Sequence, residues 1–334
     1  MMQSRSERFS LSTDTYEPKF ALSVVVPCYN EAEVLPEFYR RITAACAKVT
    51  DSYEIIFVND GSSDGTWHLL CALAANDPHL ICVNLSRNHG HQLALTAGLS
   101  YCRGNRIFII DSDLQDPPEL LPEMMKIIDA GADVVYGRRR SRAGESIIKK
   151  ATAFLFYRIL NFLADQRIPE DTGDYRLITR RVLEVFNAMP ENHRFIRGMI
   201  SWVGFRQVPL LYDRSSRFAG STKYPLRKMC RFALDAITSF SVRPLRLAFY
   251  AGFFLCAISF ILLAYSVYAY LVHETVRGWA SIMAVLLFFL SAQFMVLGMI
   301  GEYIGRLYLE AKHRPLFVVE EVTQNKAVMR ASAE

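Results

Sequence analysis

Short apolar runs recur through the first half of the chain, at Leu22–Val26, Glu54–Val58, Leu80–Leu85, Arg106–Ile110 and Asp133–Tyr136. Segments with helical spacing fall between them, near Ala32–Lys48, Thr66–Ala75, Leu93–Tyr101 and Leu120–Ala130. Strand and helix signals alternating in this way predict a doubly wound, mostly parallel α/β sheet. No internal repeat is visible. After Tyr136 the character changes. An aromatic-rich helical run covers Ile147–Leu163, followed by the polar stretch Pro169-Glu170-Asp171-Thr172-Gly173-Asp174. Leu226, Met229, Ala233, Ile237 and Phe240 then sit at helical spacing, with Arg227, Lys228 and Arg231 elsewhere on the surface. That helix either lies in a membrane interface or is an ordinary domain helix. Leu247–Val272 and Trp279–Gly301 contain no Asp, Glu, Lys or Arg. Each is long enough to cross a hydrocarbon core of ~30 Å as a helix, and the short link His273–Gly278 makes them a hairpin.

Length and charge refine this picture. A chain of 334 residues, 51% apolar, suits one large α/β domain with an appendage. The reading is a disordered tail at 1–20, the α/β domain at 21–224, juxtamembrane amphipathic helices at 225–246, a transmembrane hairpin at 247–305 (spans about 247–272 and 279–303) and a C-terminal tail at 306–334. Arg227, Lys228, Arg231, Arg243 and Arg246 precede the first span, and Arg306, Lys312 and Arg314 follow the second. By the positive-inside rule both termini and the α/β domain are cytoplasmic, giving a multi-pass protein of the cytoplasmic (inner) membrane. The polar segment Met1–Tyr16 lacks the apolar stretch of a signal peptide. Seven cysteines scattered without C-x-x-C spacing suit a reducing compartment. His89 and His91 form the one close histidine pair and read as polar residues at a helix start. Net charge is +5, but Arg138–Lys150 carries six basic residues against one acid and Arg194–Arg231 nine against one. Such basic windows suit anionic headgroups or polyphosphate. Nucleic acid is disfavoured, because no aromatic-studded RNA motif or recognition helix accompanies them. Leu316-Phe317-Val318-Val319 would add a strand in an oligomer, and a homo-oligomer is expected.

Candidate chemistry gathers where strands end. Ile107-Phe108-Ile109-Ile110 runs straight into Asp111-Ser112-Asp113-Leu114-Gln115-Asp116-Pro117-Pro118, a strand delivering carboxylates to the edge where open α/β sheets bind ligands. In an extended chain Asp111, Asp113 and Gln115 share one face. Two carboxylates and an amide oxygen make a partial shell for a hard divalent cation, which diphosphate oxygens would complete. Taken alone, the run also reads as a solvated acidic turn. The first strand runs into Pro27-Cys28-Tyr29-Asn30-Glu31 without the G-x-G-x-x-G of dinucleotide folds, which disfavours hydride transfer. The second ends in Asn59-Asp60-Gly61-Ser62, where a carboxylate beside a glycine turn can accept hydrogen bonds from a base or ribose.

Val24–Glu31, Asn59–Ser62, Asn84–Asn88, Asp111–Pro118, Gly173-Asp174-Tyr175-Arg176-Leu177 and Arg217–Tyr224, followed by the apolar hairpin, resemble glycosyltransferase family 2, the inverting GT-A enzymes. The resemblance extends from Leu22 to Arg314 and is nearest to the polyprenyl-phosphate branch, which includes bactoprenol glucosyltransferases and dolichol-phosphate mannose synthases. It implies a nucleotide-sugar donor, a polyprenyl-phosphate acceptor and Mg2+ or Mn2+. By the same resemblance Pro27, Tyr29, Glu31 and Asp60 hold base and ribose, with Asp111 beside them. Asp111, Asp113 and Gln115 hold metal and donor diphosphate, with Asp113 and Gln115 as the direct ligands. Arg138 faces the phosphates, Arg217 and Lys223 close over the diphosphate, and Asp174 matches the acid invoked as a base. Asn59 is a departure: mannose synthases carry Asp there, and the Asn-Asp-Gly version leans towards the bacterial glucosyltransferases.

Physical chemistry supports these roles. Cleaving a nucleotide sugar builds charge on the departing diphosphate, which a metal and fixed cations stabilise. A hydroxyl acceptor needs a base, whereas a lipid monophosphate with a second pKa near ~6 is mostly dianionic already. Arg138-Arg139-Arg140-Ser141-Arg142 suits binding that phosphate, and Asp174 then reads as an orienting acid. The expected activity is transfer of one sugar, UDP-glucose favoured, to undecaprenyl phosphate at the cytoplasmic face. GDP-mannose or a UDP-aminoarabinose-type donor is the alternative. A processive polysaccharide synthase is disfavoured by having only two spans and no Gln-x-x-Arg-Trp, and a silent scaffold by retention of Asp111, Asp113, Arg217 and Lys223 together.

Overall fold

The computed structural model describes residues 18–140, 172–192, 194–213 and 279–324, with isolated positions between 250 and 268. The chain runs β1 (Phe20–Cys28), α1 (Leu35–Ala47), β2 (Tyr53–Asn59), α2 (Thr66–Asn76), β3 (Leu80–Leu85), α3 (His91–Ser100), β4 (Gly104–Ile109), α4 (Leu121–Asp129) and β5 (Val134–Arg139). It continues through β6 (Thr172–Thr179), α5 (Arg180–Ala188), α6 (Ile196–Val203), β7 (Gln207–Tyr212), α7 (Trp279–Ala311) and β8 (Val319–Gln324).

The eight strands form one sheet in the order β7-β5-β6-β4-β1-β2-β3-β8. β1 to β4 are mutually parallel, as the alternating pattern predicts. Because β2 and β3 lie on one side of β1 and β4 on the other, strand order reverses at the β1–β4 boundary. Ligands of open α/β sheets bind in the crevice beyond such a switch point. The core strands are apolar on both sides: Val24, Val26, Phe57 and Phe108 pack under α1, α2 and α4, while Val25, Ile56, Val58, Ile107 and Ile109 pack under α3, α5 and α6.

Two strands depart from the parallel expectation. β6 inserts antiparallel between β4 and β5. Its pattern, Thr-Gly-Asp-Tyr-Arg-Leu-Ile-Thr, puts Asp174 and Arg176 on a buried face, so the sequence reads polar where the strand is in fact enclosed. β8 pairs antiparallel with β3 of its own chain, Ile81 opposite Gln324 through Asn84 opposite Glu321, and Ser86 N–H donates to the Val318 carbonyl at 3.0 Å. Of the segment Leu316–Val319, expected to add a strand in an oligomer, only Val319 lies in β8, which pairs within its own chain.

The helical run Ile147–Leu163, the amphipathic segment Leu226–Phe240 and most of the first apolar span lie outside the described residues. The second span is the larger part of α7, a 33-residue helix. Its stretch Phe288–Ala311 is long and apolar enough to cross a membrane, and none of it is buried. Phe288, Phe294, Met295, Leu307 and Tyr308 are all exposed.

Candidate active site

The β1 and β2 ends form two interlocked loops. Asn30 adopts a left-handed backbone (φ 56). Its N–H donates to Ser62 Oγ at 2.9 Å, and its Oδ1 accepts from Ser63 N–H at 2.8 Å. Beside it Glu31 N–H donates to Thr66 Oγ1 at 2.9 Å. This latch leaves Tyr29 half exposed above the β1 end, whereas Pro27 is buried within the strand. Gly61 has φ +65, and a Cβ there would stand 2.5 Å from Asn88 N, so only glycine fits. Asp60 is buried and accepts from His89 N–H at 2.7 Å and Gly90 N–H at 3.0 Å. Burial raises its pKa and those two bonds work against the rise. Asp60 thus shapes the loop that launches α3.

The acidic run does not continue as an extended strand. β4 ends at Ile109, Ser112-Asp113 form a turn, and Leu114 takes φ 58 with its side chain buried in the core. Gln115 N–H donates to Asp113 Oδ1 at 3.1 Å, closing the turn. Asp111, Asp113 and Gln115 therefore share a turn and not a strand face. Asp111 Oδ1 and Gln115 Oε1 are buried without a hydrogen-bond partner. Burial, reinforced by the charges of Asp174, Asp116 and Asp113 and opposed by His91, lifts the Asp111 pKa to about 6. Oxygens left unbonded amid like charges fit a divalent cation. Among the described residues no group of three or more acid, His or Cys side chains is placed to hold a metal ion, so a cation at Asp111 and Gln115 would need further oxygens from outside this set.

The far half of the turn is buttressed by aromatics. Tyr212 Oη donates to Asp116 Oδ1, and Tyr175 Oη donates to the Pro117 carbonyl at 2.7 Å. Both rings press on Gly137, where a Cβ would come 2.4 Å from Tyr175 Cδ1 and 2.8 Å from Tyr212 Cε1.

Asp174 sits at the centre of a network largely missed from sequence. Its fully buried carboxylate meets Arg197 Nε at 2.9 Å, Gln92 Nε2 at 3.0 Å and His91 Nε2 at 3.1 Å, with Arg176 Nη2 at 4.0 Å. Burial alone would raise its pKa, but Arg197 and His91 hold it well below the usual carboxylate range. Burial also opposes charge on His91, yet the hydrogen bond to Asp174 and the nearby Asp111 lift it to about 9. His91 Nε2 also lies 3.6 Å from Asp111 Oδ1, tying the two acids together. Gln92 Oε1 accepts from Ile196 N–H at 2.9 Å, anchoring the start of α6. His91 does begin a helix, as its sequence context implied. Its partner lies 83 residues away on β6, which local pattern does not reveal.

The arginine loop does not converge on one point. Arg138 and Arg140 are exposed, whereas Arg139, on the alternate face, turns to the Tyr212 hydroxyl and has a buried Nε without a partner. Arg140 lies 3.7 Å from Asp213. Arg142, Arg217 and Lys223 fall outside the described residues.

Comparison with known proteins agrees with this geometry. Residues 23–186 match the model of "Glycosyl transferase family 2", and residues 243–307 that of the "GtrB C-terminal hairpin". An uncharacterized glycosyltransferase, YkcC of Bacillus subtilis, is 45% identical over 311 residues, 92% of this chain and 96% of that protein. The Synechocystis glycosyltransferase sll0501 is 43% identical over 90% of this chain and 95% of its own length. The bactoprenol glucosyl transferase of Shigella phage SfV is 39% identical over 91% of this chain and 99% of its own. With its β1–β4 crevice, acidic turn and full-length relatives, the chain belongs to glycosyl transferase family 2 and is a glycosyltransferase of the GT-A fold.

Proposed function

We propose that the protein transfers a single sugar, with inversion, from a nucleotide-sugar donor to a polyprenyl phosphate at the cytoplasmic face of a membrane, with UDP-glucose and undecaprenyl phosphate as favoured substrates. The observation that carries this reading is the state of Asp174. A carboxylate held ionised by His91, Gln92 and Arg197 is a weak base. That suits an acceptor that already carries its negative charge and needs no proton removed, and a lipid phosphate is such an acceptor. Full-length relatives named bactoprenol glucosyl transferase support the same acceptor and a glucosyl donor.

In this reading Tyr29, Glu31 and Asp60 hold base and ribose, aided by the Asn30–Ser62 latch. Asp111, Asp113 and Gln115 would hold Mg2+ or Mn2+, which would neutralise charge on the departing diphosphate. His91 and Arg197 keep Asp174 and Asp111 in place. Arg217 and Lys223 serve the diphosphate. Arg138 and Arg140, both exposed at the β5 end, serve the acceptor phosphate, with Arg139 bracing the turn from within. An acceptor phosphate oxygen attacks the anomeric carbon opposite the leaving diphosphate, so the C1 configuration inverts.

Membrane placement rests on α7 and β8 together. An apolar helix that buries none of its span against the protein is stable when lipid covers it. β1 to β7 precede the apolar segments and β8 follows them, yet all share one sheet. A chain that returns to the same side crosses an even number of times, which supports the hairpin of 247–272 and 279–303, and the basic residues flanking it favour the cytoplasm as that side.

The test is nucleotide release by the full chain in neutral detergent with Mg2+ or Mn2+. UDP should leave UDP-glucose rapidly when undecaprenyl phosphate is present and slowly without it. Faster release from GDP-mannose or a UDP-aminoarabinose-type donor would reassign the sugar, and release indifferent to the lipid would remove the acceptor.

A further inference from the structure

Asn59 joins parts of the molecule that lie far apart in the chain. It is buried at the end of β2 and its Nδ2 donates to Asn84 Oδ1 at 2.7 Å, across the β2–β3 pair. Asn84 Nδ2 in turn donates to Glu320 Oε2 at 3.0 Å, on the strand that follows the membrane helix. On its other side Asn59 Oδ1 accepts from Ser62 N–H at 3.3 Å. Ser62 Oγ accepts from Asn30 N–H at 2.9 Å, and Asn30 Oδ1 from Ser63 N–H at 2.8 Å. One chain of hydrogen bonds therefore runs from the C-terminal strand to both loops flanking Tyr29.

The chain has a direction, and Glu320 sets it. A carboxylate only accepts, so Asn84 must turn its amide N–H2 towards Glu320 and its carbonyl towards residue 59. Residue 59 must then donate with one atom, to Asn84, and accept with the other, from Ser62. An amide does both and a carboxylate cannot. With Asp at 59, an acceptor would face the Asn84 carbonyl, and flipping Asn84 would only move the clash to Glu320. β8 is held independently by its ladder to β3 and by the Ser86–Val318 bond. Just before it, Glu310 at the end of α7 accepts from Asn192 N–H at 2.8 Å and Nδ2 at 2.7 Å. The acid is thus presented at a fixed place by the segment leaving the membrane.

We infer that Glu320 is a positioning residue for the nucleotide site: through Asn84 and Asn59 it orients the Asn59–Ser63 and Tyr29–Glu31 loops, so the post-membrane strand is a working part of donor binding. This rests on the reading that those loops hold the nucleotide.

The test is a polarity swap in the full chain in neutral detergent, read by calorimetric UDP affinity and by amide exchange at Ser62 and Ser63. Asn59→Asp should weaken UDP about tenfold or more, and Glu320→Gln alone should change it about twofold or less, because the new amide still offers an acceptor. In the double variant that amide can donate instead, the links from residue 320 through Asn84 to residue 59 reverse while Ser62 N–H still donates to residue 59, and affinity should return to within about threefold of wild type. A double variant no tighter than Asn59→Asp overturns the inference. Should Asn59→Asp fail to fold, Glu320→Ala decides. It should loosen UDP about threefold or more and speed Ser62 exchange, and wild-type values in both overturn the inference. If wild-type protein binds neither UDP nor GDP, the nucleotide reading fails by itself. Exchange at Ser62 and Ser63, faster in Asn59→Asp and restored in the double variant, still upholds the coupling, and unchanged exchange overturns it.

Discussion

Arg197 grips Asp174 with two nitrogens, Nε at 2.9 Å from Oδ1 and Nη2 at 3.2 Å from Oδ2. An acid held this way is part of the scaffold as well as of the site. Asp174→Asn should therefore lower activity and thermal stability together, by on the order of 3 kcal/mol, since it leaves buried Arg176 and part-buried Arg197 beside a neutral amide. Thermal unfolding followed alongside turnover checks this. A variant with lost turnover and an unchanged Tm would restore Asp174 to the role of base.

The His91–Asp174 pair gives a pH signature. His91 has a folded-state pKa near 9, above its ordinary 6.5. Its contribution to stability is fully present below 6.5 and is lost as pH rises through about 9. Asp174, depressed below the usual carboxylate range, acts in the opposite sense, contributing above about pH 4 and fading as acid titrates it. Wild-type Tm should fall between pH 6.5 and 9, and His91→Gln should flatten that limb.

Asp113 tests the metal. Asp113→Asn should cut turnover on the order of a thousandfold while leaving the fold intact. The same substitution should weaken Mn2+ binding seen by electron paramagnetic resonance in the presence of UDP. Full activity in chelator would dismiss the metal.

Gly137 reports on the aromatic buttress. Gly137→Ala drives a methyl into Tyr175 and Tyr212 and should cost about 1–3 kcal/mol. Tyr212→Phe keeps the ring and removes its bond to Asp116. It should reduce turnover more than Tm, measured side by side.

Much of the site was legible in the sequence because local chemistry marks strand ends. The Asn59–Ser62 turn, the acids after β4 and the β1 to β5 runs stand in the structure close to where their patterns put them. Pattern could not show β6, whose buried face carries Asp174 and Arg176 because each has charged partners there. Nor could it show that Asp111–Gln115 turns through a left-handed Leu114. It also missed His91, Gln92 and Arg197, which act through residues far off in the chain, and it did not place a strand at Val319–Gln324, because edge pairing is a tertiary choice.

The proposed topology is open to a labelling test. Single cysteines labelled in whole cells from outside should react within His273–Gly278 and nowhere near Arg314. Labelling of the C-terminal segment from outside would contradict a cytoplasmic sheet.

The central claim is tested most directly by isolating the product. Full chain incubated with UDP-glucose, divalent metal and undecaprenyl phosphate should yield a lipid one hexose heavier, detected by mass spectrometry, with the anomeric configuration inverted relative to the donor. A hexose on water or on another hydroxyl with the lipid phosphate unmodified, or a product of retained configuration, would contradict it.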